Sequence, residues 1–288
     1  IVKDETIKCV DSILNKIDNS NYEIIIVDNA SLNDSGKQLQ ELYCHNEKIH
    51  IILNEKNLGF TGGNNIGFKF AKKLKCDFIC MMNNDTYLIQ DDFFKVIKEE
   101  YDNSHFAVMG PEIHLKNNAI ELVNKKLISK DEVKKQIKRC KKLLIMNYLY
   151  LESLELLLKK IIKKVIKYKT IDYRVNNPIE KRCEDVILHG CCLVFSPIYI
   201  SKFDGLNQKT FLYKEEELLY VRLKQNDMLS VYNPKLKIFH SEDKATNSVT
   251  KRDYRKRRFI YKYNIKACYA LIEEMEKVIS DFKLEDQK

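Results

Sequence analysis

Residues 23–85 decide the fold through three stretches: EIIIVDNAS at 23–31, NEKNLGFTGGNNIG at 54–67 and FICMMNNDT at 78–86. Two apolar runs each deliver an acid at the carboxyl end, Asp28 and Asp85, and a glycine-rich turn lies between them. Open α/β sheets build ligand crevices from strand ends of this kind. The pattern therefore predicts one crevice that contains both acids.

Composition limits the class of protein. The 288 residues are 44% hydrophobic and 32% charged, as in soluble globular proteins. No apolar run approaches the roughly 18 residues that a spanning helix needs, and the amino terminus lacks the layout of a secretory signal. The nine cysteines are an odd number without a CxxC pair, which favours buried thiols over a metal site or disulfides. These features predict a cytoplasmic protein.

The chain alternates between strand and helix patterns. Strands are predicted at 23–27, 49–53, 77–82 and 106–109, and helices near 6–16, 34–46, 64–75 and 91–101. A later strand is predicted at 186–195, a helix from about Glu215, strands near 229–232 and 236–239, and a long carboxyl-terminal helical stretch. Such alternation implies an α/β protein with a doubly wound parallel sheet.

Residues 125–169 carry the basicity of the chain. They contain 15 lysines and arginines against 4 acids, in a chain whose net charge is +9. Apolar residues recur there at helical spacing, with lysines on the other face. The pattern predicts a helical hairpin on an anionic membrane surface or, alternatively, an amphipathic hairpin packed on its own protein.

Six motifs occur in a fixed order: EIIIVDNAS, NLGFTGGNNIG, MMNNDT, LHGCCLVFS at 188–196, FLYKEEELLYVRLKQ at 211–225 and YNPKLKIFH at 232–240. In this order they resemble the family 2 glycosyltransferases with the GT-A fold, especially the bacterial rhamnosyltransferase-like branch. The resemblance implies a Rossmann-like nucleotide-diphospho-sugar transferase whose mixed sheet is flanked by helices. Its expected parts are a donor-binding half at 1–124, a basic helical insertion at 125–170, an acceptor and catalytic half at 171–250, and a helical extension at 251–288.

The donor side is expected around the first acid and the glycine turn. By resemblance, Asp28 accepts from the nucleotide base or ribose; capping of the following turn is the alternative. Glycine at the start of the next helix permits close approach, and free helix N–H groups favour an anion or polar ligand. The glycine spacing is not that of dinucleotide-binding or P-loop proteins. The expected donor-binding residues are Asp28, Asn57, Gly62, Gly63, Asn64 and Asn84.

The NNDT turn is the metal candidate. By resemblance, Asp85 binds Mg²⁺ or Mn²⁺ bridging the donor phosphates, while Asn83 stands where the family motif has its first acid. His240 ends the apolar strand KLKIFH, and it is expected to complete the metal shell or contact the diphosphate. A plain turn and a structural histidine are the alternatives.

The resemblance places the catalytic base at Glu216, which would take the proton of an acceptor hydroxyl. Glu215 and Glu217 are close enough to leave the choice among the three open, and a solvated helix start is the alternative. Crowded carboxylates raise one another's pKa toward the range where a base works best. His189 and Gly190, with Glu215, are expected on the acceptor side.

The implied function is inverting, metal-dependent transfer of a hexosyl or rhamnosyl group. The donor would be a UDP-, dTDP- or GDP-linked sugar, and the acceptor a hydroxyl of a glycan or lipid-linked molecule in cell-surface polysaccharide synthesis. Peripheral contact with the inner face of the cell membrane through 125–169, and no nucleic acid partner, are expected. The alternatives are a membrane- or nucleic-acid-binding module on an inactive GT-A scaffold, and a sugar nucleotidyltransferase.

Two regions depart from the family pattern. Family members begin with an apolar strand that forms part of the base-binding wall, whereas helix-like TIKCVDSIL follows Ile1 within a few residues. Because omitting an inner strand leaves backbone groups unpaired, we expect these residues to be an amino-terminally incomplete version. For the carboxyl-terminal arginines, a lipid diphosphate or an anionic membrane is a candidate partner, and nucleic acid is the partner in the alternative of a binding module. Arg222 is expected to contact an acid or a phosphate. Those carboxyl-terminal residues are Arg252, Arg255, Arg257 and Arg258.

Overall fold

The computed structural model describes residues 2–18, 21–116, 119–121, 123, 126–151, 181–241 and 254–285, with side chains up to Lys277. Residues 125 and 152–169 of the predicted basic segment lie outside the described residues, as does Arg252.

The amino-terminal part contains a two-stranded parallel sheet and three helices. Strand β1, Ile24–Asp28, pairs with strand β2, Ile49–Leu53, in register from Ile24 with Ile49 to Asp28 with Leu53. Apolar residues alternate between buried and half-buried along β1, as expected for a strand covered on both faces. The elements are α1 Lys3–Lys16, β1 Ile24–Asp28, α2 Ser35–Leu42, β2 Ile49–Leu53 and α3 Gly59–Lys73.

A larger mixed sheet follows, formed by β3 Ile79–Met82, β4 Thr86–Leu88, β5 Val108–His114, β6 Cys183–Glu184, β7 Cys192–Phe195 and β8 Ser230–His240. The strand order is β3-β7-β5-β8-β4, with β6 paired to β8. Only β5 and β8 are parallel within it; the other pairs are antiparallel. The helices of this part are α4 Phe93–Ser104, α6 Pro197–Lys202 and α7 Glu215–Lys224. The expected α/β fold with a mixed sheet flanked by helices is confirmed, whereas the parallel sheet predicted from the strand and helix alternation is wrong for this larger sheet.

Several predicted elements have different limits. The predicted strand at 186–195 is wrong over its first half, because the backbone turns at Gly190 and Cys191 and only Cys192–Phe195 forms β7. The two strands predicted near 229–232 and 236–239 form one continuous strand, β8. Its pairing with β5 shifts register between Pro111 and Glu112, which accommodates the irregular stretch around Pro234.

A cavity of about 1010 Å³ separates the two sheets between β1 and β3. Within the described chain, β1 pairs only with β2, and β3 only with β7. The cavity runs along β1, the strand that ends in Asp28, and its lining includes Asn29 and Gly63 on one side and Asn83 and Asn84 on the other. The expectation that these residues lack the opening strand of the family stays a prediction.

Two further helices, α5 Lys130–Tyr148 and α8 Tyr254–Glu285, pack against each other. A capping box between Ser129 and Glu132 starts α5. Its buried residues Val133 and Ile137 join a core cluster with Cys268 of α8. The described part of the basic segment therefore packs on its own protein along this strip. In the described residues, no helix has the length and apolarity needed to cross a membrane.

Candidate active site

Asp28 ends β1 with its carboxylate buried, 6% exposed. Oδ2 accepts a hydrogen bond from the Ser31 backbone N–H at 3.2 Å, which is the turn cap that the sequence left as an alternative. Oδ1 is also buried, and it has no hydrogen-bond partner among the described residues. Since buried polar atoms are normally paired, this oxygen is suited to accept from a ligand. The turn cap and a ligand contact are thus compatible.

Asn29 joins the loop after β1 to the loop between β2 and α3, beside that carboxylate. Its Nδ2 donates to the Gly59 carbonyl at 2.8 Å and to Asn57 Oδ1 at 3.2 Å. Its Oδ1 accepts from Asn54 Nδ2 at 3.1 Å and from the Leu58 N–H at 3.0 Å. Sequence reasoning missed this residue, and its only signal was its position directly after Asp28.

The glycine-rich helix begins earlier than predicted. Helix α3 starts at Gly59, so Gly62, Gly63 and Asn64 lie inside it instead of opening it. The backbone of Gly59 has φ +76°, and a Cβ there would collide with the Phe211 carbonyl oxygen. Only glycine adopts this conformation in that space without strain.

Hydrogen bonds within the protein already engage some of the groups that were predicted to bind the nucleotide-sugar donor. The Gly59 N–H donates to Asn57 Oδ1 at 2.9 Å, and the Phe60 N–H donates to the Phe211 carbonyl at 2.8 Å. Asn64 Nδ2 donates to the Phe60 carbonyl at 3.0 Å. Two N–H groups of the first helical turn are therefore unavailable to an anion. Asn57 acts here as a cap within the protein.

The side chain of Asn84 is also engaged. It donates to Thr6 Oγ1 of α1 at 3.1 Å, which fixes the turn that carries Asp85. That turn closes through the Thr86 N–H and the Asn83 carbonyl, 3.2 Å apart. The predicted donor role of Asn84 stays a prediction, and its observed contact is with α1.

Asp85 and His240 meet at the end of β8. Asp85 Oδ1 lies 3.3 Å from His240 Nε2, with the two side chains 20% and 11% exposed. Pairing of Thr86 with His240 between β4 and β8 brings them together, and the Ser241 N–H donates to the Asp85 carbonyl at 2.9 Å. Sequence order alone suggested this pair, and the sheet register explains it.

His189 continues the row from His240. The two imidazole rings are 5.9 Å apart between centroids. His189 Nδ1 accepts from the Cys191 N–H at 3.1 Å, which leaves Nε2 to carry the ring proton in the neutral form. The same Nδ1 lies 3.9 Å from Glu216 Oε1.

Glu216 ends the row on the first turn of α7. Its Oε1 accepts a hydrogen bond from the Gly190 N–H at 2.5 Å, and this contact accounts for the backbone turn that interrupts the predicted strand. A Cβ at Gly190 would lie 3.3 Å from that oxygen and 3.9 Å from Cζ of Phe60. Phe60 belongs to α3, so Glu216 and the glycine-rich helix border the same space.

The electrostatic surroundings suit a base. Burial, the largest cause, raises the pKa of Glu216, while His189 and the Gly190 N–H partly offset the rise. Negative charge on Glu217 and Glu121 raises the pKa further. Glu121 follows the loop after β5, and no motif in the sequence indicated it.

The neighbouring acids differ from Glu216 in their contacts. Glu217 forms an ion pair with Lys214 at 2.6 Å. Burial raises the pKa of Glu215, whose Oε1 has no hydrogen-bond partner in the described part of the chain. Tyr213 and Lys214 both have positive φ, 77° and 65°, immediately before the helix. This strained approach aims the first turn at Gly190.

Arg222 contacts neighbouring parts of the fold. Its Nη1 donates to Tyr199 Oη at 3.0 Å and to the Gly205 carbonyl at 2.7 Å. Its guanidinium lies 4.7 Å from the centre of the Phe203 ring. Among the described residues Arg222 pairs with no acid, so that part of the expectation is wrong, and the phosphate contact stays a prediction.

A metal would have two protein ligands here. Among the described residues, no group of three or more His, Cys, Asp or Glu side chains is arranged to hold an ion. The separation of 3.3 Å between Asp85 Oδ1 and His240 Nε2 nevertheless resembles the roughly 3.0 Å between adjacent ligands of an octahedral ion with bonds of about 2.1 Å. The pair fits a Mg²⁺ or Mn²⁺ whose other ligands are phosphate and water oxygens.

Known proteins are similar to this chain in sequence and in fold. The model of the family described as Glycosyl transferase family 2 matches residues 3–150. The low-salt glycan biosynthesis hexosyltransferase Agl10 of Haloferax volcanii is 27% identical over 95 residues, which are 32% of this chain and 28% of that protein. Two crystal structures of S. aureus TarS 1-349 are also similar, each covering 90% of this chain and 62% of theirs at 11% identity.

Those structures, in complex with UDP-GlcNAc and with UDP, have TM-scores of 0.51 and 0.50. At this low sequence identity, the structural similarity shows only the fold, which is the GT-A fold. The chain spans less than two thirds of the length of each of these relatives. Because the family model covers just over half of its residues, the chain belongs to glycosyl transferase family 2.

Proposed function

We propose that this protein transfers a sugar from a nucleoside-diphosphate donor to an acceptor hydroxyl. The observation that carries the proposal is the row formed by Asp85, His240, His189 and Glu216. One end of the row offers a carboxylate and an imidazole, which suit a diphosphate and its cation. The other end holds a partly enclosed carboxylate with a raised pKa, which suits a general base.

The donor is a hexosyl or rhamnosyl nucleotide linked to UDP, dTDP or GDP. Asp28 has one buried carboxylate oxygen to accept from a base N–H or a ribose hydroxyl. The TarS complex with UDP-GlcNAc and the name of the Haloferax hexosyltransferase support this donor class. The same name supports an acceptor in glycan synthesis, and we place the reaction in cell-surface polysaccharide synthesis.

Asp85 and His240 would hold a Mg²⁺ or Mn²⁺ ion. When bound, the ion supplies positive charge that stabilises the departing nucleoside diphosphate. An imidazole ligand favours Mn²⁺ over Mg²⁺. The short contact between the two side chains supports this role.

Glu216 takes the proton of the acceptor hydroxyl as that oxygen attacks the anomeric carbon. Direct attack on the side opposite the leaving group inverts the configuration at that carbon. The hydrogen bond from Gly190 orients the carboxylate, and His189 Nδ1 lies 3.9 Å from its Oε1. We place the reaction in the cytoplasm, at the inner face of the membrane, with a glycan or lipid-linked acceptor.

A thermal-shift screen of the full chain tests donor binding. UDP-, dTDP- and GDP-sugars are compared with and without Mn²⁺. The matching donor at about 100 times its Kd is expected to stabilise the fold by about 2.7 kcal/mol, and only with the ion present. If no donor raises the unfolding temperature in Mn²⁺, a binding module on an inactive scaffold becomes the better explanation.

A further inference from the structure

The ring of Phe60 lies where the two halves of the candidate site meet. Its Cζ is 3.9 Å from the position that a Cβ of Gly190 would take, and Oε1 of Glu216 is 3.3 Å from the same point. Phe60 also lines the cavity that borders Asn29 after β1 and Asn84 in the turn between β3 and β4. One aromatic side chain is therefore next to both the proposed base and the proposed donor half.

The backbone of helix α3 holds this ring in place. The Phe60 N–H donates to the Phe211 carbonyl at 2.8 Å, and the Phe60 carbonyl accepts from Asn64 Nδ2 at 3.0 Å. Phe60 follows Gly59, the first residue of α3. Because a helix positions its side chains more precisely than a loop does, the ring forms a fixed wall of the crevice.

Core packing accounts for only part of the position of Phe60. The side chain packs against the buried cluster that contains Phe68 and Phe195. It nevertheless stays half-buried, and its ring makes no aromatic pair with any described residue, whereas Phe68 packs edge-on against Phe195 and Tyr199. Within the described structure, the rest of the side chain therefore borders the crevice.

The geometry of sugar transfer places the sugar of the donor beside Phe60. A general base lies about 2.6–3.2 Å from the hydroxyl that it deprotonates, and the reacting atoms approach to about 3–3.5 Å. With Glu216 as the base and the diphosphate at Asp85 and His240, the anomeric carbon lies between these groups. The sugar ring attached to that carbon then occupies the space next to Gly190, which Phe60 borders.

The chemistry of a sugar ring matches an aromatic wall. A hexose carries hydroxyls around its rim and an apolar face of C–H groups, and ligand sites combine aromatic walls with a few polar groups. The polar side chains beside Phe60 are engaged within the protein, since Asn64 donates to the Phe60 carbonyl and Asn57 accepts from the Gly59 N–H. On this side of the crevice, the protein offers the sugar an apolar contact.

We propose that Phe60 is a binding residue for the transferred sugar, whose C–H face packs on the ring. This role rests on the proposed transferase function and adds a substrate contact to it. A flat ring favours a sugar with an uninterrupted apolar face, so the side chain at position 60 contributes to the selection of the hexose. Free nucleoside diphosphate lacks the sugar and does not contact Phe60.

Comparison of nucleotides with and without the sugar tests this contact. The probes are the UDP-, dTDP- and GDP-sugars of the thermal-shift screen and free UDP, dTDP and GDP, each titrated into the full chain with Mn²⁺. Phe60→Leu keeps an apolar side chain but removes the flat ring. We expect it to weaken binding of the matching nucleotide sugar by about two- to tenfold and to leave the affinity for its nucleoside diphosphate unchanged.

Phe70→Leu is the matched control in the same helix. Phe70 is also half-buried, but its ring packs against His50 of β2, with 5.1 Å between the ring centroids. This variant should bind the nucleotide sugar and the free diphosphate as wild type does. Equal weakening by Phe60→Leu and Phe70→Leu would show a general disturbance of α3 and would contradict a specific role of Phe60.

The remaining outcomes separate the sugar contact from the transferase function. If Phe60→Leu weakens the nucleotide sugar and the free diphosphate equally, the nucleotide and not the sugar depends on the ring. If neither affinity changes, the ring does not bind the donor sugar. Either result overturns the role of Phe60 and leaves the transferase proposal standing. If no probe binds to the wild-type chain, both proposals fail together.

Discussion

Replacing Glu216 with glutamine should lower sugar transfer by about 10²-fold or more, the contribution typical of a positioned general base. Glutamine keeps the shape and can still accept from the Gly190 N–H, but it cannot take a proton from the acceptor. The rate is read as nucleoside diphosphate released from the donor that the screen identifies. Glu217→Gln is the matched control, because it removes the adjacent acid, whose carboxylate forms an ion pair with Lys214.

The pH dependence of the transfer rate tests the role of Glu216 independently. A base works when deprotonated, so the wild-type rate should rise with pH through the raised pKa of Glu216, above its ordinary value of 4.5. For a carboxyl whose folded pKa is raised, stability is favoured at low pH and is lost as pH rises through that pKa. Glu216→Gln should therefore not lower the unfolding temperature at neutral pH. Retention of about a tenth or more of wild-type transfer would contradict the assignment.

Replacing Asn65 with alanine should destabilise the fold by about 2–4 kcal/mol. Asn65 is 2% exposed, and it holds both backbone groups of Leu206: Nδ2 donates to the carbonyl at 2.9 Å and Oδ1 accepts from the N–H at 2.7 Å. Alanine leaves a buried donor and a buried acceptor unpaired, each at a cost of about 1–3 kcal/mol. Urea unfolding measures the loss as a lower midpoint with an unchanged slope.

Asn64→Ala is the control at the neighbouring position. Its side chain is only half-buried and donates within the same helix, to the Phe60 carbonyl. We expect a change within about 0.5 kcal/mol, as for ordinary surface substitutions. If the two variants unfold at the same urea concentration, Asn65 does not hold α3 to the loop at Leu206.

Local patterns predicted most elements of the fold. Buried runs ending in Asp28 and Asp85 identified β1 and β3, and the acidic start at Glu215 located helix α7. Contacts between distant residues were beyond those patterns. Nothing local showed that Gly190 turns to donate to Glu216, which broke the predicted strand at 186–195.

In the candidate site, too, local motifs located some residues, whereas contacts between distant parts of the chain could not be predicted. Motif order placed Asp85, His240 and Glu216, and the structure aligns them through His189 in one row. Asn29 and Glu121 were missed because their roles depend on loops that meet only in the folded chain. The contacts of Arg222 with Tyr199 and the Gly205 carbonyl were not predicted, because both partners lie outside the six motifs.

The affinity of two single variants for the donor tests most directly whether Asp28 and Asp85, the acids at the strand ends, bind the same ligand. Isothermal titration of the identified donor with Mn²⁺ compares wild type with Asp28→Ala and Asp85→Ala. Each variant should bind about tenfold or more weakly, since each loses a hydrogen bond or ligand from a charged group, and Asp85→Ala should also lose the dependence on Mn²⁺. Asp34→Ala, which removes an exposed ion pair with Lys37, is the control and should bind as wild type. Wild-type affinity in both test variants would contradict a shared donor site at Asp28 and Asp85.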